Sequence, residues 1–409
     1  MPQQNVEGIT TFWTDSTQKI TKEMPVFYNP VMKLNRDLSL LALGSMEKQE
    51  LRISLPMEAS GVRAARILHE LIMLDLLDAK LLAINDLSAH AITFAKKNVT
   101  ENIGSFDENK VVFSQTEARK FLLDSAGFEY IDIDPFGTPN PFLDAAVQRI
   151  AREGIIAVTA TDTSALAGTY PAATLRKYWA VPSRTWVMHD IGLRILIRKV
   201  QLIGAQYEKA LIPLLSVATN HYYRVFFLYA KGNAVVKTVL KEHRYLHVCT
   251  RCMQLAVSSE NVGCCKNCLL QVHVAGPLWT GPLHDKSFVQ RMIAIAEKID
   301  ETSKNEENKS AEKKAKTAEK NTAKNQKTIG KNMKEAHTLL SIILDECKLN
   351  TVGFVDLHEL ASRIKQQAPK TETVLELLGA NACKTHINGA GIKTDLEMKE
   401  FVERTFKKQ

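Results

Sequence analysis

No stretch of these 409 residues is apolar for long enough to span a bilayer as a helix. The opening residues, MPQQNVEGITTFWTD, lack the basic and apolar regions of a secretory leader, so the chain reads as soluble, intracellular and cytoplasmic. Cysteine is scarce outside one place. Of seven, five fall between Cys249 and Cys268, which argues against a disulfide framework and for metal ligation. The triple-glycine fingerprint of dinucleotide-binding turns is missing too: the turn in MEASGVRAAR holds only Gly61. That argues against NAD or FAD and leaves a cofactor without a pyrophosphate. Acidic residues are the minority, 45 against 53 Lys plus Arg, and the formal charge of +8 points mildly to a polyanion such as nucleic acid.

What is present is a globular composition, 45% hydrophobic, at a length that favours two or three domains. Short apolar runs mark strands at 51–57, 80–86, 110–115, 128–134 and 154–161, with a later, antiparallel pair at 211–217 and 222–230. Between them lie the helix-like segments VRAARILHELIM, AHAITFAKKNVTENI, ARKFLLDSAG and NPFLDAAVQRIARE. This β-α-β rhythm predicts an α/β, Rossmann-like doubly wound sheet.

Ligands of such sheets sit beyond the carboxyl ends of the strands. The second strand ends in Asn85-Asp86, about 25 residues beyond Gly61, near the spacing at which an acid meets ribose hydroxyls; a helix cap is the competing role for Asp86. The third ends in QTEAR, placing Glu117 and Ala118 next along the edge, where an adenine would lie. The fourth ends in Asp134-Pro135-Phe136-Gly137. One glycine turn followed by three strand-end acids is the layout expected of S-adenosylmethionine enzymes.

The exocyclic amine of a nucleobase is a poor nucleophile, because its lone pair is delocalised into the ring. A site that methylates it must draw the amine hydrogens onto acceptors and aim the nitrogen, by positioning and general-base catalysis. Asp134 offers a carboxylate, the Pro135 carbonyl sits in a rigid turn as a second acceptor, and Phe136 can stack on a base. Thr161 and Asp162, ending the fifth strand, suit either a target pocket or a helix cap. His189 and His221 are expected as satisfied core histidines, and Tyr170, Trp179 and Tyr222 as core aromatics.

Cys249-x2-Cys252 and Cys265-x2-Cys268, twelve residues apart, have the spacing of a four-thiolate zinc ribbon, with Cys264 a competing neighbour. Such a zinc would be structural, since catalytic zinc keeps an open position. Cys347 and Cys383 are isolated. The stretch 301–335, nearly devoid of apolar residues, reads as a linker or solvated helix. Beyond it, EAHTLLSIILDECKLN and FVDLHELASRIKQQ read as amphipathic helices before a Gly-containing ribbon, a winged-helix-like order. Lys384, His386, Lys393 and Thr394 there could meet RNA phosphates.

Taken in order, PVFYNPVMKLNRDLS (25–39), EASGVRAAR (58–66), NDLS (85–88), DIDPFGTP (132–139), VTATDTSALAG (158–168), LRKYWAVP (175–182), HDIGLRILI (189–197), NHYYRV (220–225), GPLWTGPLHD (276–285) and KTHINGAGIKTD (384–395) closely resemble the archaeal-type tRNA (guanine(26)-N2)-dimethyltransferases. The resemblance implies transfer of one or two methyl groups from S-adenosylmethionine to guanine N2 in tRNA, with Asp134 as proton acceptor. It further implies that Arg36 and Arg63 hold the methionine end of the cofactor, that Asp86 binds its ribose, and that Phe136 contacts cofactor or base. Glu117 stands where the family usually has the Asp of Asp-Ala-Asn, and Ala118 would offer backbone contacts to adenine. Met57-Glu58 replaces the common Asp-Ala, and Arg119 replaces Asn. The implied organisation is a methyltransferase domain over 1–236, a zinc-ribbon part over 237–300, the Lys-rich segment 301–335, and a tRNA-binding part over 336–409. Two other readings compete: an amino-methyltransferase of rRNA or DNA adenine, and a non-catalytic zinc-ribbon RNA-binding protein.

Overall fold

A computed structural model gives the fold. The chain opens with an antiparallel hairpin, β1 (Gln3–Glu7) and β2 (Thr10–Thr14), followed by α1 (Lys33–Gly44). Strands and helices then alternate as β3 (Leu51–Leu55), α2 (Val62–Arg66), β4 (Ala79–Asp86), α3 (Ala89–Ile103), β5 (Val111–Gln115), α4 (Ala118–Leu123), β6 (Phe128–Ile133), α5 (Asn140–Arg149) and β7 (Ile150–Ala160). Next come α6 (Thr163–Leu166), α7 (Pro171–Tyr178), α8 (Met188–Ala205), β8 (Lys209–Ala218), β9 (Tyr223–Lys231) and α9 (Asn233–Lys241). The remainder is β10 (His243–Val248), β11 (Leu255–Ser258), β12 (His273–Trp279), α10 (Lys286–Lys316), α11 (Lys334–Glu346), β13 (Val355–Asp356), α12 (Leu357–Ile364), α13 (Thr371–Leu378), β14 (Ala382–Lys384), β15 (Gly391–Thr394) and α14 (Met398–Thr405). The structure describes residues 3–14, 24, 26–72, 75–219, 221–316 and 333–406. Of the Lys-rich stretch, residues up to Lys316 continue α10, and 317–332 lie outside the described residues. Among the described residues no helix is long and apolar enough to cross a membrane.

The chain forms two compact units: Met1–Ile133 with Gln148–Ala157 and Gln290–Leu340, and Asp134–Val147 with Val158–Val289 and Ser341–Gln409. In the first, β5, β4, β3 and β6 pair in parallel in that order, with β7 next to β6. Ile53 lies opposite both Leu82 and Tyr130, and all three are buried. Such apolar runs are what a parallel sheet covered on both faces requires. The α/β fold expected from the sequence is therefore present. Gly61 has φ +74°, and a Cβ there would come within 2.4 Å of the Ala95 Cα. The turn after β3 thus needs glycine so that α2 can pack against α3. Asn98 of α3 anchors the N-terminal hairpin, accepting from the Trp13 N–H at 2.7 Å and donating to its carbonyl at 2.9 Å.

In the second unit β8 and β9 form the expected antiparallel pair, ending with Ala218 opposite Tyr223. The largely buried α8 packs on β8 and β12. Its Asp190–Arg194 pair reaches outward to the chain around it: Arg194 donates to the carbonyls of Trp279 and Gly281, and Asp190 accepts from the Gly353 N–H. Strands β11, β10 and β12 form one antiparallel sheet, and β13, β15 and β14 another. The latter packs its Ile392 with Leu357, Leu360, Val374 and Phe401 of α12, α13 and α14.

Three local expectations change. The fifth strand begins at Ile150, inside the segment expected to be helix, because Gly154 lets it approach the Glu129 carbonyl; a Cβ there would lie 2.7 Å away. The helix after Gly61 gives way at Ile67 to a wider π turn reaching Ile72. A helix, α13, intervenes before the C-terminal ribbon β14–β15.

Candidate active site and cysteine centre

In the first unit the ends of β4 and β5 carry the expected acids Asp86 and Glu117. Asp86 accepts from the Ala59 N–H with Oδ2 and from the Ser88 N–H with Oδ1, both at 2.9 Å. It ties the turn after β3 to β4, while Ser88 is the residue that caps α3. Each Asp86 oxygen keeps acceptor capacity for a hydroxyl group. Glu117 caps α4, accepting from the N–H groups of Arg119 and Lys120 at 3.1 Å, and pairs with the Arg119 side chain. Ala118 is the first, buried residue of that helix.

Both arginines expected at a cofactor's carboxylate are buried and paired with internal carboxylates. Arg36 donates from Nε to Glu7 at 2.9 Å, pairs through Nη2 with the other Glu7 oxygen, and gives Nη2 to the Asn29 carbonyl at 3.0 Å. Its Nη1 edge has no hydrogen-bond partner among the described residues. Arg63 donates to Asn35 and Asp132 at 3.1 Å and to Ser39. Asp132 also accepts from the Tyr130 hydroxyl at 2.8 Å. Residues given no role from the sequence are thus central: Glu7, Asp132 and Glu58. The signal for Asp132 was the strand alternation that puts Tyr130 and Asp132 on one face. Glu58 is fully buried, accepts from the Ala64 N–H at 2.8 Å, and has its carboxyl pushed up to about 7 by that burial.

In the second unit the turn from Asp134 is fastened by its own neighbours. Gly137, at φ +78°, exchanges two bonds with Thr161: its N–H meets the Thr161 hydroxyl at 2.7 Å, and its carbonyl takes the Thr161 N–H at 2.9 Å. Asp162 makes no side-chain cap. It accepts from the Tyr178 hydroxyl at 2.6 Å and pairs with Lys177 at 3.3 Å, while the same Tyr178 oxygen lies 3.0 Å from the Thr138 hydroxyl. Asn140 donates to the Lys177 carbonyl at 2.8 Å. Asp134 and Pro135 are half-buried, and Phe136 is 57% exposed, so the turn presents its ring outward.

Several expectations are corrected here. Tyr170 and Trp179 are 62% and 46% exposed, against the expectation of core positions; Tyr222 is buried as expected. His221 is exposed, while His189 is half-buried and bonded to the Tyr223 hydroxyl at 2.9 Å, with its pKa lowered by burial. Three of the four C-terminal residues expected to face RNA are engaged inside the fold, and the fourth, Lys384, is tied to Glu372. Lys393 is 2% exposed and sits 3.0 Å from Glu346, whose other oxygen takes His386 at 2.6 Å. Thr394 donates to the Asn381 carbonyl. His284, Glu346 and His386 together have metal-ligand chemistry, but the Lys393 ammonium already supplies the positive charge there.

The four cysteines of the two C-x2-C pairs converge, with all sulfurs within 4.8 Å of one another. Cys249 and Cys268 are 3.3 Å apart and Cys252 and Cys265 3.5 Å. Each pair sits on the same kind of knuckle: the Met253 N–H bonds the Cys249 carbonyl and the Leu269 N–H the Cys265 carbonyl, and Met253 and Leu269 have φ near +60°. Cys264 is exposed and outside the group. Tetrahedral zinc with sulfur at about 2.3 Å separates its sulfurs by about 3.8 Å, so this donor set fits such an ion.

Comparison with known proteins identifies this architecture. Residues 8–316 and 305–405 match the profile of the N2,N2-dimethylguanosine tRNA methyltransferases. The chain is similar to the tRNA (guanine(26)-N(2)/guanine(27)-N(2))-dimethyltransferase of Aquifex aeolicus, 33% identical over 97% of this chain and 94% of the relative. It is 34% identical to the tRNA (guanine(26)-N(2))-dimethyltransferase of Methanobrevibacter smithii, over 97% and 95%. Trm1 of Pyrococcus horikoshii, solved in complex with S-adenosyl-L-methionine, superimposes with a TM-score of 0.78 at 27% identity, over 98% of this chain and 99% of that one.

Proposed function

This chain belongs to the N2,N2-dimethylguanosine tRNA methyltransferase family, and from that premise we propose that it methylates guanine 26 of tRNA at N2 once or twice, with Asp134 as proton acceptor. Its class is that of an S-adenosylmethionine-dependent tRNA methyltransferase. The observation that carries the residue assignment is the Asp134–Gly137 turn, clamped through Gly137 and Thr161 with the Phe136 ring exposed.

The residues present suit the cofactor. Asp86, at the end of β4, retains acceptor capacity for ribose hydroxyls, and the Arg36 Nη1 edge is open to a carboxylate. Arg63 orders the same region through Asn35, Ser39 and Asp132, and Glu117 and Ala118 would border the adenine. When bound, S-adenosylmethionine supplies an electrophilic methyl group. Asp134 would accept the one proton the guanine amine loses as its new bond forms, the Pro135 carbonyl would accept a hydrogen bond from the other amine hydrogen, and Phe136 would stack on the base, so the nitrogen is aimed. Reaching a guanine inside folded tRNA requires turning it out of its stack. The four thiolates of Cys249, Cys252, Cys265 and Cys268 would hold zinc in a closed, structural site.

The test is transfer of labelled methyl from S-adenosylmethionine to an unmodified tRNA transcript, with nucleoside mass spectrometry and a control transcript carrying A at position 26. N2-methylated and N2,N2-dimethylated guanosine, with a blank control, is the expected result. Methyl on another base, or in the control, would overturn the target assignment.

A further inference from the structure

The segment from Thr163 to Tyr207 holds six Lys or Arg and a single acid, Asp190. That acid is buried and spent on Arg194. Lys177 pairs with Asp162. The other four cations, Arg176, Arg184, Arg198 and Lys199, have no carboxylate partner among the described residues. Two of them are well covered. Lys199 is 5% exposed, and burial together with neighbouring Arg198 lowers its pKa to about 8; Arg198 has a buried Nε without a hydrogen-bond partner. Positive charge held out of water without a counter-charge is costly and favours an incoming anion.

Beside these cations stand the exposed aromatics, at the two ends of α7. Tyr170 is its N-cap and Trp179 its C-cap, roughly 13 Å apart along the axis. Trp179 sits in the left-handed region, at φ +56°, where a helix end ordinarily takes glycine. The indole is held in that costly conformation by its surroundings: Arg198 donates to the Trp179 carbonyl at 3.1 Å, and the Lys199 ammonium lies 3.0 Å from the ring centroid. One ring face is therefore backed by a cation while the residue remains nearly half exposed. This platform is also joined to the Asp134–Asn140 turn, through Tyr178 and Thr138 and through Asn140 and the Lys177 carbonyl.

We infer that the α7 face, with Tyr170 and Trp179 as stacking rings, Lys199 backing the indole, and Arg176, Arg184 and Arg198 as phosphate partners, binds the tRNA strand next to the target guanine. Exposed rings interleaved with unpaired cations are the chemistry of unstacked RNA recognition, in which bases stack on aromatic faces and phosphates meet cations. The inference rests on the tRNA methyltransferase reading above. It adds a surface outside the C-terminal part, where Lys393 and His386 are committed to Glu346.

The experiment measures affinity for an unmodified tRNA transcript by filter binding, with affinity for S-adenosylhomocysteine and the melting temperature as parallel readouts. Trp179→Ala and Tyr170→Ala are each expected to weaken tRNA binding about five- to a hundredfold, leaving the nucleoside affinity as in the wild type. Arg184→Ala is expected to lower the slope of log affinity against log salt by about 0.7 to 0.9. Should Trp179→Ala melt early, Tyr170→Ala and Arg184→Ala, both at exposed positions, decide the matter. Wild-type affinity and salt slope in the well-folded variants would overturn the surface while leaving the enzyme reading intact. A wild-type protein that does not bind the transcript would overturn both.

Discussion

Glu7 grips Arg36 with both carboxylate oxygens, joining the first strand of the chain to α1 across 29 residues. The same carboxylate accepts from the Tyr28 hydroxyl at 2.8 Å and lies 3.3 Å from Arg66, so its acceptor capacity is largely used. Arg36 is thereby held through Nε and Nη2, with Nη1 left without a hydrogen-bond partner among the described residues. Glu7→Gln is expected to destabilise the fold by about 3 kcal/mol, the cost of breaking a buried pair from one side. It should also weaken S-adenosylhomocysteine binding about tenfold, by loosening a charge-assisted hydrogen-bonding edge. Calorimetry and thermal melting check both; unchanged values would show that Arg36 needs no such partner.

Asp86 and Asp134 should separate binding from chemistry. Asp86→Ala is expected to weaken nucleoside binding. Asp134→Ala should lower single-turnover methyl transfer by about a hundredfold or more while leaving that binding nearly intact. The opposite pattern in calorimetry and rapid-quench rates would reverse the two assignments.

Glu58 gives a pH dependence with a defined sign. Burial first, opposed by Arg63 and the Ala64 N–H, raises its carboxyl from the ordinary 4.5 to about 7. The folded chain therefore holds this proton more tightly than the unfolded one. The associated stability is fully present below 4.5 and is lost as pH rises to about 7, a difference of about 3 kcal/mol. Glu58→Gln, which keeps an acceptor for the Ala64 N–H, should melt higher than the wild type at pH 8 and not at pH 4.5. A constant offset across a pH series of melts would rule out the titration of Glu58 as its source.

Zinc in the cysteine centre is expected at one ion per chain by metal analysis. Chelation should lower the melting temperature before it lowers the methyl-transfer rate at moderate temperature, because a closed four-thiolate site does no chemistry. Cys268→Ser should reproduce the loss, and Cys264→Ser should not, since Cys264 lies outside the converging group. Equal melting with and without bound metal would refute a structural role.

The parallel strands were legible because burial on both faces writes a short apolar run, as in LLAI of β4 and IIAV of β7. The strand-end position of Asp86 followed from the same rhythm, and the knuckles from cysteine spacing. Trp179 was misjudged because an aromatic in an apolar neighbourhood carries no local mark of exposure. Its place depends on a left-handed helix end and on Lys199, twenty residues on. Lys393 was misjudged for the converse reason: a lysine in a Gly-rich ribbon looks solvated until Glu346, 47 positions earlier, is found against it.

The sequence by itself determined the α/β rhythm, the single-glycine turn, the acids at the strand ends and the metal-binding spacing, since each depends on residues close together in the chain. Only the tertiary structure decided which carboxylate meets which guanidinium, that Arg36 answers to Glu7 and Arg63 to Asp132. A charged side chain can satisfy itself with any opposite charge brought near it. Packing of distant segments chooses among them, and in doing so leaves Arg184 and Arg198 without a carboxylate among the described residues and the rings of Tyr170 and Trp179 exposed.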